Sequence, residues 1–146
     1  MILLYGGAIT LGVGLKDTGA AEWIAGHLLS LVGTNPYIVL LLFIVMTITA
    51  TEFMSNTAAV AMFLPIGMGF AGAVPGLSVL ATSFAIALSG GLAFLLVIAT
   101  PGNAIAYSSG YFSSKDFFKG GFVANLICIF IIFFVAVTWW RFLGAW

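Results

Sequence analysis

Charge is what this sequence lacks. Only 5% of its 146 residues are Asp, Glu, Lys or Arg, against about 25% in a soluble domain whose surface must face water. Between Glu22 and Lys115 a single charged side chain interrupts the chain, Glu52. That distribution excludes a water-soluble fold across the whole middle. With hydrophobic residues at 63% and a mean hydropathy of +1.26, lipid is the solvent. The net charge of zero leaves no basic surface for nucleic acid and no patch for an acidic membrane. One cysteine, Cys128, excludes an internal disulfide, and within the apolar run 126–137 it reads as a small buried hydrophobe. Met1 leads straight into Ile2, Leu3 and Leu4, without a basic leader or a small-residue cleavage site. A secretory signal is therefore not expected, and an abrupt start inside an apolar helix is expected of a piece of a longer chain.

What is present is a series of hydrophobic segments, some of them too short or too interrupted to be plain membrane spans. A spanning helix needs about 20 apolar residues. Residues 77–99 and 121–140 meet that length, and the second ends in Trp139, Trp140, Arg141 and Trp146, an interfacial anchor of aromatics and one cation. Lys115, Asp116 and Lys119 mark its approach and are expected in water or headgroups. Residues 1–15 are apolar but glycine-rich and short, a transmembrane helix remnant. Residues 20–32 carry Trp23, Ile24, Leu28 and Leu31 on one side with Glu22 and His27 adding polarity, as in a helix lying along the interface. Gly33-Thr34-Asn35-Pro36 forms a turn, with Pro36 suited to the first position of the next helix.

Two places put helix-breaking polar residues inside the hydrophobic middle, where irregular backbone is tolerated only against protein or a water-filled cavity. In residues 37–70 an apolar arm of about fourteen residues meets Thr51-Glu52-Phe53-Met54-Ser55-Asn56-Thr57, and a second arm of about thirteen follows. Arms of that length predict a re-entrant hairpin with a polar tip, in competition with one long helix passing straight through. The second arm is expected to end in Gly67, Gly69, Gly72, Pro75 and Gly76. Ser, Asn and Thr are preferred N-caps. The tip can therefore present free N–H groups and a helix dipole to a carboxylate, or its oxygens can hold a small hard cation. Ordinary interhelical hydrogen bonding is the plainer use of the same residues. The second place is Ala99-Thr100-Pro101-Gly102-Asn103, at the end of the helix expected over 77–99. Pro101 removes a donor and pushes Thr100 out of helical angles, Gly102 loosens the backbone, and Asn103 can cap a new half-helix beginning at Ala104. Two such breaks form the arrangement in which transporters bind ions and substrates at mid-membrane.

The residues at both breaks resemble signatures of the divalent anion/sodium symporters, the dicarboxylate and citrate transporters. Thr51-Glu52-Phe53 and Ser55-Asn56-Thr57-Ala58 resemble their Ser-Asn-Thr hairpin motif. Ala99-Thr100-Pro101-Gly102-Asn103-Ala104-Ile105 is similar to the second motif, followed in register by Ser109-Gly110-Tyr111 and Lys115-Asp116. Tyr5-Gly6-Gly7 and Lys16-Asp17-Thr18-Gly19 agree as well, so the likeness covers nearly the whole chain. It departs at Gly102, where the family usually has a second proline, a change that can shift substrate preference.

The resemblance implies an all-α membrane protein that is one inverted-repeat half, the C-terminal one, of a secondary transporter. Its single membrane domain, 1–146, would comprise a helix remnant (1–15), an interfacial arm helix (20–32), a re-entrant hairpin (37–70), a broken transmembrane helix (77–110) and a last transmembrane helix (119–141). Substrate binding would fall to Ser55, Asn56, Thr57, Thr100 and Pro101. A sodium site would draw on Ser55, Asn56, Thr57, Ala99, Thr100 and Asn103, with Glu52 and Gly102 in support. The implied activity is sodium-coupled secondary transport of di- or tricarboxylates such as succinate, malate or citrate. It would run by an elevator-like movement, with sodium as coupling ion, no cofactor and no enzymatic step. The partners implied are the bilayer of an inner or plasma membrane, the absent N-terminal half and a second copy in a homodimer. A carboxylate exchanger, a proton-coupled or arsenite-type carrier, and a non-transporting scaffold are the competing readings.

Glu52, three residues before Ser55, is expected to brace the hairpin rather than to offset cation charge. His27 is expected to be solvated. Ser89-Gly90-Gly91 has the look of a membrane hydrolase site, but no partnered histidine is apparent and close helix packing explains the glycines better. Lys115 and Lys119 favour a cytoplasmic start for the last helix, with the C-terminus outside.

Overall fold

The computed structural model describes Thr10, Gly14, residues 17–20, Trp23, His27, residues 33–111 and residues 113–146. The segments expected over 1–15 and 20–32 lie for the most part outside the described residues. Among those described there, His27 Nδ1 lies 3.2 Å from the Trp23 carbonyl oxygen and its ring is tilted against the Trp23 indole at 4.3 Å.

All regular structure among the described residues is helical: α1 (Pro36–Thr51), α2 (Asn56–Ala73), α3 (Val79–Ser89), α4 (Pro101–Ser108) and α5 (Ser114–Val135), which runs on through a π-helical turn, Ala136–Trp140. The start of α1 follows from local chemistry. Asn35 accepts from the Tyr37 N–H at 3.0 Å, and Pro36 takes the first helical position, where its missing donor costs nothing. Residues 52–55 then turn the chain back. The Phe43 and Phe70 rings meet edge to face at 5.3 Å, and Pro36 approaches Gly76, so α1 and α2 form a hairpin packed along its length. One helix passing straight through residues 37–70 is thereby ruled out.

The arms are longer than the sequence suggests. Thr51 ends α1, Asn56 and Thr57 open α2, and Gly67, Gly69 and Gly72 lie inside α2 instead of ending it. At 16 and 18 residues the arms measure about 24 and 27 Å. Gly67 sits where α2 crosses α3: a Cβ there would overlap the Ile86 side chain. The turn into α3 closes at Gly76, whose φ of +80° favours glycine.

The core lies between α1, α2 and α3, with α5 alongside. Val39, Leu40, Phe43, Ile44 and Ile48 of α1 pack with Phe63, Phe70 and Ala71 of α2, Ala85 and Ile86 of α3, and Ile132 and Ala136 of α5. Burial of such side chains is worth about 1.5–3 kcal/mol each from water. In lipid the packing itself, with small residues letting helices approach, carries more of the association.

The largest departure from the expected architecture is α3. The helix expected over 77–99 stops at Ser89, and residues 90–100 form an irregular connector. Gly90 stands at the C-cap of the helix, packed so closely on α2 that a Cβ there would overlap Val60. α5 likewise begins earlier than expected. Ser113 accepts from the Asp116 N–H while the Asp116 carboxylate accepts from the Ser113 N–H at 3.1 Å, a capping box that starts the helix at Ser114. Lys115 and Asp116 therefore occupy its first turn. From there α5 and its π-helical end run 27 residues, about 40 Å, and exceed the apolar core of a bilayer.

At the other end of the bundle Arg141 donates to the Tyr37 hydroxyl at 2.9 Å. Tyr37 stacks on Trp146 at 5.5 Å, and the Ser78 hydroxyl donates to the Ala145 carbonyl at 2.6 Å. The base of the hairpin is thus tied to the end of α5.

Candidate functional site

Both sequence breaks are capped helix N-termini. At the first, Ser55 has extended backbone angles and its hydroxyl accepts from the Ala58 N–H at 3.2 Å. Asn56 and Thr57, half-buried, are the first residues of α2. At the second, Thr100 is the cap, accepting from the Asn103 N–H at 3.1 Å, and Pro101 is the first helical residue of α4. Asn103 was expected to cap a helix from Ala104. It lies instead inside the first turn, because Thr100 already supplies the capping oxygen and Pro101 fits the first position without a donor. Gly102 also belongs to that turn and not to a loose loop. A Cβ there would sit 3.8 Å from Thr100 Oγ1, so the position has room for a side chain.

The connector between α3 and α4 is held by backbone turns at Gly91, Leu92 and Ala99 and, across its middle, by side chains. Glu52, 3% exposed, accepts from the Leu95 N–H through Oε1 at 2.9 Å and from the Leu96 N–H through Oε2 at 3.0 Å. Irregular backbone has no helical partner for these donors, and in an apolar surrounding each would cost on the order of 1–3 kcal/mol if left unpaired. Where a brace for the hairpin is expected, the hydrogen bonds of the Glu52 carboxylate run to the connector that forms the other break. Asn125 of α5, 6% exposed, donates its amide to the same Oε1 at 2.9 Å. One turn earlier on that face, Gly121 touches the connector backbone, where a Cβ would overlap the Phe94 carbonyl. Asn103 completes the frame by donating Nδ2 to the carbonyls of Ala93 at 2.8 Å and Leu96 at 3.0 Å. Ala99, half-buried, donates its N–H to the Leu96 carbonyl at 3.1 Å.

A second link runs from Thr51. Its Oγ1 lies 2.7 Å from Asn56 Oδ1 and 2.9 Å from the Gly90 carbonyl. One hydroxyl hydrogen cannot serve two acceptors fully, so the group is an oxygen cluster with more acceptors than donors, or an Asn56 amide turned to donate. The two breaks are joined in this way through the connector. Among the described residues, no side chain of Ser55, Asn56 or Thr57 bonds directly to Thr100 or Asn103. A cavity of about 410 Å³ opens beside Asn103, lined also by Phe94, Asp116, Phe117, Gly121 and Ala124.

Sequence reasoning missed Asn125, Thr51 as a link, and Gly121. Asn125 carried a signal: it is the one carboxamide in the apolar run 121–140, and polar groups at such depth are expected to have a partner. Ser89 ends α3 fully buried with its hydroxyl unpartnered, as is Asn125 Oδ1.

Known proteins resemble this chain over nearly its whole length. Residues 1–146 match the sodium:sulfate symporter transmembrane region throughout. The chain is 34% identical over 141 residues to an uncharacterized transporter of Haemophilus influenzae, covering 96% of this chain and 30% of that protein. It is 34% identical over 141 residues to the Na(+)/citrate cotransporter of Rattus norvegicus, covering 97% and 24%. It is 35% identical over 135 residues to the sodium-dependent dicarboxylate transporter SdcS of Staphylococcus aureus, covering 92% and 26%. The chain thus spans about a quarter to a third of the length of these relatives. With the match running from its first residue to its last, this all-helical chain belongs to the sodium:sulfate symporter family of integral membrane transporters, which are not enzymes.

Proposed function

We propose that the chain is the C-terminal repeat half of a sodium-coupled symporter for di- or tricarboxylates. The observation that carries this reading is the pairing of two capped helix N-termini, at Ser55 and Thr100, locked to one connector by Thr51, Glu52 and Asn103. Each N-terminus offers oriented N–H groups and positive dipole to an anion, so Ser55, Asn56, Thr57, Thr100 and Pro101 are assigned to the carboxylates. Sodium prefers hard oxygen, and Ser55, Asn56, Thr57, Ala99, Thr100 and Asn103 are assigned to it. Asn103 spends its amide nitrogen on the connector, leaving Oδ1 for the ion. The Thr51, Asn56 and Gly90 oxygens lie beside the same tip. Glu52 and Gly102 support this site without touching the cargo.

In this reading the α1–α2 hairpin is re-entrant. It moves with the broken helix, elevator fashion, against the rest of the molecule. The N-terminal half supplies the opposite wall of the cavity, and two full chains pair as a homodimer in the inner or plasma membrane. The relatives named for sodium with citrate or dicarboxylate support the cargo class.

The test is uptake of radiolabelled succinate and citrate by the full-length parent in proteoliposomes. The expected result is uptake driven by an inward sodium gradient and lost on replacement by potassium. Asn56→Ala and Thr100→Ala abolish it while the protein is still made and inserted. Uptake indifferent to sodium overturns the symporter reading in favour of an exchanger or proton-coupled carrier. No uptake of any carboxylate, with both variants indistinguishable from the parent, favours a scaffold.

A further inference from the structure

Asn125 stands outside every residue assigned to the cargo, yet it closes a buried network that spans three parts of the chain. Its Nδ2 donates to Glu52 Oε1 at 2.9 Å, and the two oxygens of Glu52 take the N–H groups of Leu95 and Leu96. Glu52 follows directly on the last residue of α1, and the connector leads to the cap of α4 at Thr100. Without Asn125 the carboxylate would be held only by the irregular backbone that it itself holds. With it, the carboxylate is fixed against α5, a long helix packed on α1 and α3. Gly121 places the connector on the same face of α5, one turn away.

We infer that Asn125 is a positioning residue for transport: acting through Glu52, it sets the separation of the Ser55 and Thr100 helix ends. This rests on the proposed function for its effect on cargo, though not for its effect on the connector. A residue that fixes geometry alters how well two ends close on a ligand more than it alters the subsequent movement. Loss of a hydrogen bond to a buried charged group amounts to about tenfold in an equilibrium constant.

The experiment uses the full-length parent with Asn125→Ala, Asn125→Asp, Glu52→Gln and the combined Glu52→Gln, Asn125→Ala. Asn125→Asp keeps the shape but replaces the donor with an acceptor facing Glu52. The expected result is a KM for carboxylate and a half-saturating sodium concentration raised about tenfold in Asn125→Ala and at least as much in Asn125→Asp, with maximal rate within about twofold of the parent. In the Glu52→Gln background Asn125→Ala adds little, because residues sharing one network are not additive. Unchanged KM in both Asn125 variants, or full additivity with Glu52→Gln, overturns the inference.

Amide hydrogen exchange at Leu95 and Leu96 in detergent reads the same latch without transport and covers variants that insert poorly. It is expected to quicken in Asn125→Ala and Asn125→Asp, and unchanged exchange overturns the inference. Quickened exchange in these variants, with no sodium-driven uptake by the parent, defeats the proposed function and leaves the latch standing.

Discussion

The two breaks in this chain use the same cap chemistry and differ in how they are closed. At residues 52–55 the turn is short and local: Ser55 caps the helix that follows it, and hydrogen bonds from Phe53 and Met54 to the Ala50 carbonyl finish the helix before it. At residues 90–100 the chain leaves helical geometry for far longer; local turns serve Gly91, Leu92 and Ala99, but the Leu95 and Leu96 N–H groups and the Ala93 and Leu96 carbonyls are satisfied by Glu52, with Asn125 behind it, and by Asn103. A short break can be completed by its own sequence. A long break in lipid must borrow partners from elsewhere, since no water is present to substitute for them.

That contrast is sharpest at Glu52, where the largest effect is expected. Glu52→Ala leaves the Leu95 and Leu96 N–H groups and the Asn125 amide without partners, a loss on the order of 4 kcal/mol. A steep fall in the thermal midpoint of the full-length protein in detergent and loss of uptake are expected; a midpoint unchanged from the parent would break the comparison. Gly121→Ala comes next. Its Cβ overlaps connector backbone, which cannot rotate aside as a side chain can, and a cost of about 1–3 kcal/mol follows. Gly120→Ala, whose Cβ meets open space, is the control and should leave the midpoint in place.

Smaller effects separate the caps themselves. Ser55→Ala and Thr100→Ala each cost about 1 kcal/mol, whereas Ser55→Thr and Thr100→Ser keep the capping oxygen and stay close to the parent in urea or thermal unfolding. At the bottom of the scale is Ser89→Ala. Its hydroxyl is buried and unpartnered, so removal is expected to be neutral or slightly stabilising. A large loss of uptake with stability intact would mean that this hydroxyl meets cargo.

The same contrast explains what could be read from the sequence. Asn35-Pro36 and the Ser55-Asn56-Thr57 tip are local signals, a cap followed by its helix, and the helices start there; at the second break the expected cap is Asn103, and the helix starts three residues earlier, behind Thr100. The Ser113 and Asp116 capping box is equally local, yet the charges of Lys115, Asp116 and Lys119 suggest a polar approach to the last helix where its first turn stands. Residues 92–99 are different in kind. Leu92, Ala93, Phe94, Leu95, Leu96 and Val97 read as the continuation of an apolar helix, and nothing in that run announces irregular backbone. What stabilises the irregular course is a carboxylate 43 and 44 residues before the Leu95 and Leu96 donors and an amide 30 and 29 residues after them. Those are tertiary facts. Cap residues are legible one helix at a time, whereas the frame that relates one cap to the other is not.

The borrowed partners also impose an order of assembly. Residues 90–100 leave the ribosome well before Asn125, so the newly made connector has Glu52 available but not the amide that steadies it. Contacts so distant in sequence form late, after the closure of a long loop has been offset. The network that fixes the connector is therefore complete only once the final helix is in place.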